Sequence, residues 1–249
     1  MVLPASRQTN TVFFDLGLTL INFEGDFSQA LLDSYRAMAE SLHASGCGFD
    51  PARFAARFTE VISEYYRTRE IDLIEKPVEK YLRKVLDEFG CPDLPAEVIA
   101  GAIEAMYRQT EVSWQVEEDA LSTLTALQQR GYRMGLITNA SNAGNSNRLI
   151  DKSGLREFFK VIVISAEEKI RKPDRRIYDL ALSRMGSLSE ECVMVGDTLT
   201  ADIHGAQNAG LRAAWLTRRV KHPHIVAEHK QPDWTITTLT ELLDILPPL

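Results

Sequence analysis

From Glu117 to its end the chain repeats one unit, a helical stretch followed by a short apolar run that stops on a polar residue. Leu121, Leu124 and Leu127 recur at helical spacing before Gly131, and Tyr132 to Ile137 then reads as a strand ending at Thr138 and Asn139. A helix through Leu149 and Ile150 leads to a strand at Val161 to Ile164, and a helix over Ile177 to Met185 leads to a strand at Cys192 to Val195. That strand stops at Gly196 and Asp197. A helix carrying Ala206 and Ala209, a strand at Ala213 to Leu216, a short extended run at Trp234 to Ile236 and a helix from Leu239 to Leu246 complete the series. Runs of four to six apolar residues without polar alternation are buried on both faces, so repeated βα units of this kind require a parallel sheet covered by helices on both sides.

The first strand of that sheet lies far upstream, in TVFFDLGLTL (Thr11 to Leu20), where Val12, Phe13 and Phe14 run into Asp15. Between it and the repeats the pattern is helical. Four apolar stripes follow one another, centred on Leu31 to Leu42, Phe54 to Tyr65, Val78 to Phe89 and Val98 to Tyr107, separated by Gly46, Gly48, Gly90, Pro92 and Pro95. Asp50 followed by Pro51 supplies an N-cap and a helical first residue for the second stripe. The expected fold is α/β: a doubly wound, Rossmann-like parallel-sheet core over 1–21 and 113–249, with an inserted α-helical cap domain over 22–112. A loop that follows a strand's carboxyl end overlies the ligand-binding edge of an open α/β sheet, so the cap is expected above the site.

Four polar positions collect at that edge: Asp15 after the first strand, Thr138 after the second, Lys172 after the third and Asp197 after the fourth. Each alone is as well explained by a turn cap or a solvated side chain. Together they describe chemistry. Asp15 and Asp197 form a hard oxygen site suited to Mg²⁺, which takes one or two carboxylates with water and substrate phosphate. A hydroxyl and an ammonium facing it suit the remaining oxygens of a phosphoryl group, and Asp15 is of a type that forms aspartyl-phosphate.

The stretches FFDLGLTL, GLITNAS, IRKPDRRIYDLAL and VMVGDTLTADIHGAQNAGLRAAWL resemble the four motifs of the haloacid dehalogenase superfamily, in its order, and the helical insertion after the first resembles its capped, phosphatase-like branch. The resemblance implies a Mg²⁺-dependent hydrolase of a small phosphorylated metabolite. Asp15 would be nucleophile and metal ligand, and Thr138, Lys172 and Asn139 would hold the phosphoryl group. Asp197 and the backbone carbonyl of Gly17 would complete the metal site, and Asp202 would orient a water or Lys172. The chain departs from the pattern at Gly17, where phosphatases of the family carry a second Asp as general acid and base. That departure leaves a catalytically weak or silent member, binding a phosphorylated ligand or a partner, as the alternative. Dehalogenation is disfavoured because GDTLTAD is intact, and phosphonate cleavage because nothing marks Lys76, Lys80 or Lys84 as a Schiff-base lysine.

The remaining features exclude partner classes rather than assign one. A net charge of −7 argues against nucleic acid and anionic membranes as partners. No run reaches the ~18 apolar residues of a membrane span, MVLPASRQTN lacks a signal-peptide core, and Cys47, Cys91 and Cys192 are scattered without metal-site spacing. These features lead to the expectation of a cytoplasmic protein with reduced thiols. Arg218, Arg219, Lys221, His222, His224 and His229 read as a solvated basic loop, Arg67 and Arg69 as solvated helix-end arginines, and Tyr65, Tyr66 and Tyr81 as bundle core and rim.

Overall fold

The computed structural model describes residues 8–220 and 231–249. In chain order its elements are β1 (Thr11–Phe14), β2 (Ile21–Phe23), α1 (Phe27–Ala44), α2 (Pro51–Asp72), α3 (Val78–Glu88), α4 (Ala96–Glu111) and β3 (Trp114–Val116). These are followed by α5 (Ala120–Gln129), β4 (Arg133–Thr138), α6 (Ala143–Lys152), β5 (Val161–Ile164), α7 (Ser165–Glu168), α8 (Arg175–Met185) and β6 (Cys192–Gly196). The last elements are α9 (Gly205–Asn208), β7 (Arg212–Leu216), β8 (Trp234–Ile236) and α10 (Leu242–Ile245).

Six strands form one parallel sheet in the order β5-β4-β1-β6-β7-β8. Strand β1 lies between β4 and β6 and is fully buried, which is why Thr11 to Phe14 carries no polar alternation beyond its first residue. Successive side chains of a strand leave opposite faces, so β1 serves two cores at once. Val12 and Phe14 pack with Leu124 and Leu127 of α5, Leu149 and Ile150 of α6, and Leu242 of α10. Phe13 packs on the other face with Ile177, Tyr178 and Ala181 of α8 and Ala206 of α9. Gly135 of β4 is a consequence of that packing, since a Cβ there would lie 2.6 Å from the Phe13 ring. The sheet is doubly wound as the apolar runs require.

Helices α1 to α4 form the inserted bundle, with a separate core that includes Tyr35, Met38, Phe54, Phe58, Tyr65, Leu82 and Met106. Asp26 and Asp50 cap α1 and α2 by accepting from backbone amides of the first turn. Cys47 and Cys91 meet in this core, although 44 positions separate them in the chain; both are free thiols, and burial and then Cys91 push the Cys47 thiol up to about 11.

A two-stranded antiparallel ribbon joins bundle to sheet: Ile21, Asn22 and Phe23 of β2 pair with Val116, Gln115 and Trp114 of β3. The sequence pattern does not reveal these two short strands, which carry no run of apolar residues. The ribbon carries the edge-to-face contacts of Trp114 with Phe23 and of Phe23 with Phe27, at ring separations of 5.3 and 5.0 Å.

The arginines after β7 are not solvated as expected. Arg218 donates to Glu117 at 2.8 Å and to Asp119, and Arg219 donates twice to the buried Glu117 carboxylate at 2.9 and 3.0 Å. They neutralise an acid at the foot of the ribbon that lies about a hundred positions away in sequence, a pairing no local pattern discloses. Lys221, His222, His224 and His229 lie outside the described residues. Among the described residues no helix is long and apolar enough to cross a membrane.

Candidate active site

Because all six strands are parallel, their carboxyl ends share one edge, and the polar residues that follow four of them meet there. Asp15 leaves β1 with its amide donating to the Val195 carbonyl at 2.9 Å. Thr138 is the last residue of β4, and Asp197 follows Gly196 at the end of β6. Lys172 comes from the connection after α7, and its side chain is 2 % exposed.

Lys172 is the hub of the site. Its Nζ donates to Asp15 Oδ1 at 2.6 Å and to Asp202 Oδ1 at 2.5 Å. Burial alone would lower its pKa; the two carboxylates outweigh that and hold the ammonium above its usual range. Its backbone is held by Asn139, whose side-chain amide donates to the Lys172 carbonyl at 3.0 Å while its oxygen accepts from the Lys172 amide at 2.9 Å. The Asn139 side chain is therefore spent on positioning the lysine. Asp202 is equally committed. Its second oxygen accepts from the Thr198 amide at 3.0 Å, and it tucks against Gly196 so tightly that a Cβ there would lie 2.4 Å away.

What remains uncommitted defines the chemistry. Asp15 has no side-chain partner among the described residues besides Lys172, with the Leu16 amide also bonding its carboxylate. Asp197 is held through its backbone carbonyl by the Trp215 indole at 2.8 Å, and its carboxylate has only a long contact of 3.4 Å from the Thr198 hydroxyl. No described residue donates to the carbonyl of Gly17, because the adjacent turn uses Leu16 and Ile21 carbonyls instead. Oxygens of Asp15, Asp197 and Asp202 lie within 4.8 Å of one another. Burial pushes the Asp15 carboxyl up to about 6, against the pull of Lys172 and with a push from Asp202. Burial, then Asp15 and Asp202, push Asp197 up to about 7. Two carboxyls held back from ionising beside an unbonded carbonyl make a donor set of hard oxygens short of positive charge, which fits a small divalent cation.

The bundle closes over this edge and leaves a cavity of about 570 Å³ between the two parts. Asp15, Gly17, Thr138, Asn139, Lys172, Asp197 and Asp202 all line it. Its roof comes from the bundle and ribbon, through Tyr35, Tyr66, Arg69, Tyr107 and Trp114 among others. Tyr66 thus faces the cavity as well as the bundle. Arg67 pairs with Glu64 in solvent, whereas Arg69 turns inward. The sequence shows both arginines near one helix end; only packing decides which of them looks down.

Gly17 sits beneath the ribbon. A Cβ on it would be 3.7 Å from the Trp114 ring, in ordinary contact, so the space into which a longer side chain would grow is bounded by an indole locked between Phe23 and Phe27. Leu18 beside it adopts a left-handed backbone with φ 60°, a conformation that disfavours side-chain-bearing residues.

A parallel-sheet core with an inserted helical roof and a lysine-bridged acid cluster at the strand ends defines the class of a hydrolase with a capped α/β core. The chain belongs to the haloacid dehalogenase-like hydrolases, whose family model matches residues 9–210. It is 30% identical over 243 residues to the glyceraldehyde 3-phosphate phosphatase of Pyrococcus furiosus, covering 96% of this chain and 94% of that protein. It is 33% identical to the phosphoserine phosphatase of Thermus thermophilus over 143 residues, 57% of this chain and 55% of that one. Among solved structures, the magnesium-bound HAD-hydrolase YfnB of Bacillus subtilis is 25% identical with a TM-score of 0.63, covering 96% of this chain and 99% of that one.

Proposed function

We propose that the protein is a Mg²⁺-dependent phosphohydrolase acting on a small phosphorylated metabolite through an aspartyl-phosphate on Asp15. The observation that carries this reading is the Asp15 carboxylate, which lines the cavity with Lys172 bound to Oδ1, so that Oδ2 is assigned as the attacking oxygen. Attack by that oxygen on phosphorus expels the leaving oxygen with its electron pair; water then attacks the same phosphorus, releasing phosphate and restoring the carboxylate. The Thr138 hydroxyl and the Lys172 ammonium hold phosphoryl oxygens, and the Asn139 side chain and Asp202 keep the ammonium in place. Asp15, Asp197 and the Gly17 carbonyl are the groups that would hold Mg²⁺, which supplies charge neutralisation of the phosphoryl oxygens. The phosphatase names of the relatives and the magnesium-bound neighbour support this reading.

Gly17 narrows the substrate. A positioned general acid or base is worth about 10² to 10⁴ in rate, and no side chain stands at that position to protonate a departing alkoxide. Leaving groups stable as anions, such as carboxylates and phenolates, are favoured. A panel of acyl, aryl and alkyl phosphates, assayed with and without Mg²⁺, is expected to show rates that rise steeply as the leaving group becomes more acidic. Gly17→Asp should raise alkyl phosphate turnover by up to about 10²-fold while changing acyl phosphates little. Equal rates across the panel would contradict the assignment. The absence of turnover across the whole panel, with saturable Mg²⁺-dependent binding retained, would favour the silent, ligand-binding reading that Gly17 also permits.

The metal site makes a prediction independent of activity. A carboxyl whose pKa is raised by folding opposes folding once ionised; that penalty is present above the folded value and lifts as pH falls through about 7 for Asp197 and about 6 for Asp15. Mg²⁺ binds the ionised forms and relieves the same penalty. The Mg²⁺-induced rise in Tm is therefore expected to be largest above about pH 7.5 and to vanish near about pH 5. Calorimetric melts across that range check this, and a rise independent of pH would contradict it.

A further inference from the structure

Three cations line the cavity among the described residues: Lys172, Arg171 and Arg69. Lys172 is bound by Asp15 and Asp202, and Arg171 donates to Glu70 at 2.7 Å. Arg69 is different. It lies in the last turns of α2, its side chain is 23 % exposed, and its guanidinium stacks on the Tyr66 ring at 4.2 Å from the centroid. It donates no hydrogen bond to any described residue, and its Nε, like that of Arg171, is buried without a hydrogen-bond partner. A guanidinium carries five donors in a planar fork, and leaving them idle in a roofed cavity costs more than leaving them in water.

Two carboxylates stand near Arg69, and both are committed elsewhere. Glu70, 3.4 Å away, accepts from Arg171; Glu75, 3.9 Å away, is fully buried and accepts from Tyr65 at 2.6 Å and Ser165 at 3.0 Å. A second polar group faces the same space. Tyr35 of α1 is 3 % exposed and lines the cavity, with its hydroxyl beside that of Tyr66. Buried polar groups are normally satisfied, so a guanidinium without hydrogen bonds lining a ligand cavity beside a phenol hydroxyl marks a place that a ligand fills.

We infer that Arg69 and the Tyr35 hydroxyl form a subsite in the cap for a carboxylate on the leaving portion of the phosphorylated substrate. One positive charge and one neutral donor match a singly charged planar acceptor. A second phosphate brings more negative charge than this wall can neutralise beside Glu70 and Glu75. Phe27, Leu31, Met106 and Trp114 also line the cavity, which favours an apolar or flat body joining the two anionic ends. This assignment rests on the phosphohydrolase reading.

The test uses para-carboxyphenyl phosphate and para-carbamoylphenyl phosphate, near-isosteres that differ in the charge of one group. The full chain is expected to prefer the carboxylate in kcat/KM by about tenfold or more, chiefly through KM, as for a charge-assisted hydrogen bond. Arg69→Met should collapse that ratio toward one, Arg69→Lys should retain part of it, and Tyr35→Phe should lower it a few-fold. Equal kcat/KM for the two esters, or a ratio unchanged in Arg69→Met, overturns the subsite. If neither ester nor acetyl phosphate turns over, the hydrolase reading fails instead. The subsite is then read by calorimetric titration of the two esters, where the same preference and the same collapse are expected and equal affinities overturn it.

Discussion

Asp15→Asn is expected to lower turnover of acetyl phosphate on the order of 10⁴-fold or more, the scale on which loss of a covalent nucleophile acts. The substitution keeps the shape of the side chain. It removes the charge that Lys172 neutralises at 2.6 Å and the proposed nucleophilic oxygen of a residue that lines the cavity, so the fold should survive while the chemistry does not. Burial also opposes the ionisation of Asp15, so exchanging it for a neutral amide relieves a desolvation cost. The melting temperature without Mg²⁺ should hold or rise as activity is lost. That pairing separates a nucleophile from a structural acid, whose removal would lower both.

Lys172→Met is expected to have the largest effect on stability. The lysine side chain is 2 % exposed and bridges two acids whose side chains are 12 and 2 % exposed. Removing one partner of a buried ion pair leaves uncompensated charge and costs about 3–5 kcal/mol, whereas the intact pair contributes far less than that on balance. Here two acids are orphaned, Asp15 and Asp202, so the loss should fall at the upper end of that range. Its pH dependence has a definite sign. Without the lysine's downward pull the Asp15 carboxyl rises further above about 6, so the penalty is greatest at neutral and alkaline pH and eases as acid protonates Asp15. Denaturant midpoints of wild type and variant should converge on acidification. Turnover should also fall, by about 10² to 10³, as expected for a lost electrostatic donor to the transferring group.

Much of this arrangement is legible in the chain because buried parallel strands leave an unbroken apolar signal and end on the residues that matter. Val161 to Ile164 and Trp234 to Ile236 coincide with β5 and β8, and the acid or hydroxyl after a strand is necessarily at the active edge once the sheet is parallel. What the pattern does not disclose is set by packing between distant segments. The reciprocal hold of Asn139 on the Lys172 backbone spans 33 positions, and the salt bridges of Arg218 and Arg219 to Glu117 span about a hundred. Helical periodicity shows that Tyr35 and Tyr66 belong to a bundle but not that Tyr66 and Arg69 turn toward a cavity. The last helix is likewise shorter than its apolar pattern, because Thr238 and Glu241 form a capping box on a 3₁₀ turn over Leu239–Glu241 before α10 begins.

Gly17 links mechanism to measurement. In the proposed cycle the side chain missing there would also activate the water of the second step, so hydrolysis of the aspartyl-phosphate is slowed more than its formation when the leaving group is a carboxylate. The intermediate should accumulate. Rapid acid quench of the enzyme during turnover of acetyl phosphate, followed by peptide mass spectrometry, tests the account directly. The predicted result is the mass increment of one phosphoryl group on Asp15, absent in Asp15→Asn. Turnover without that increment, or with the increment on another residue, would contradict it.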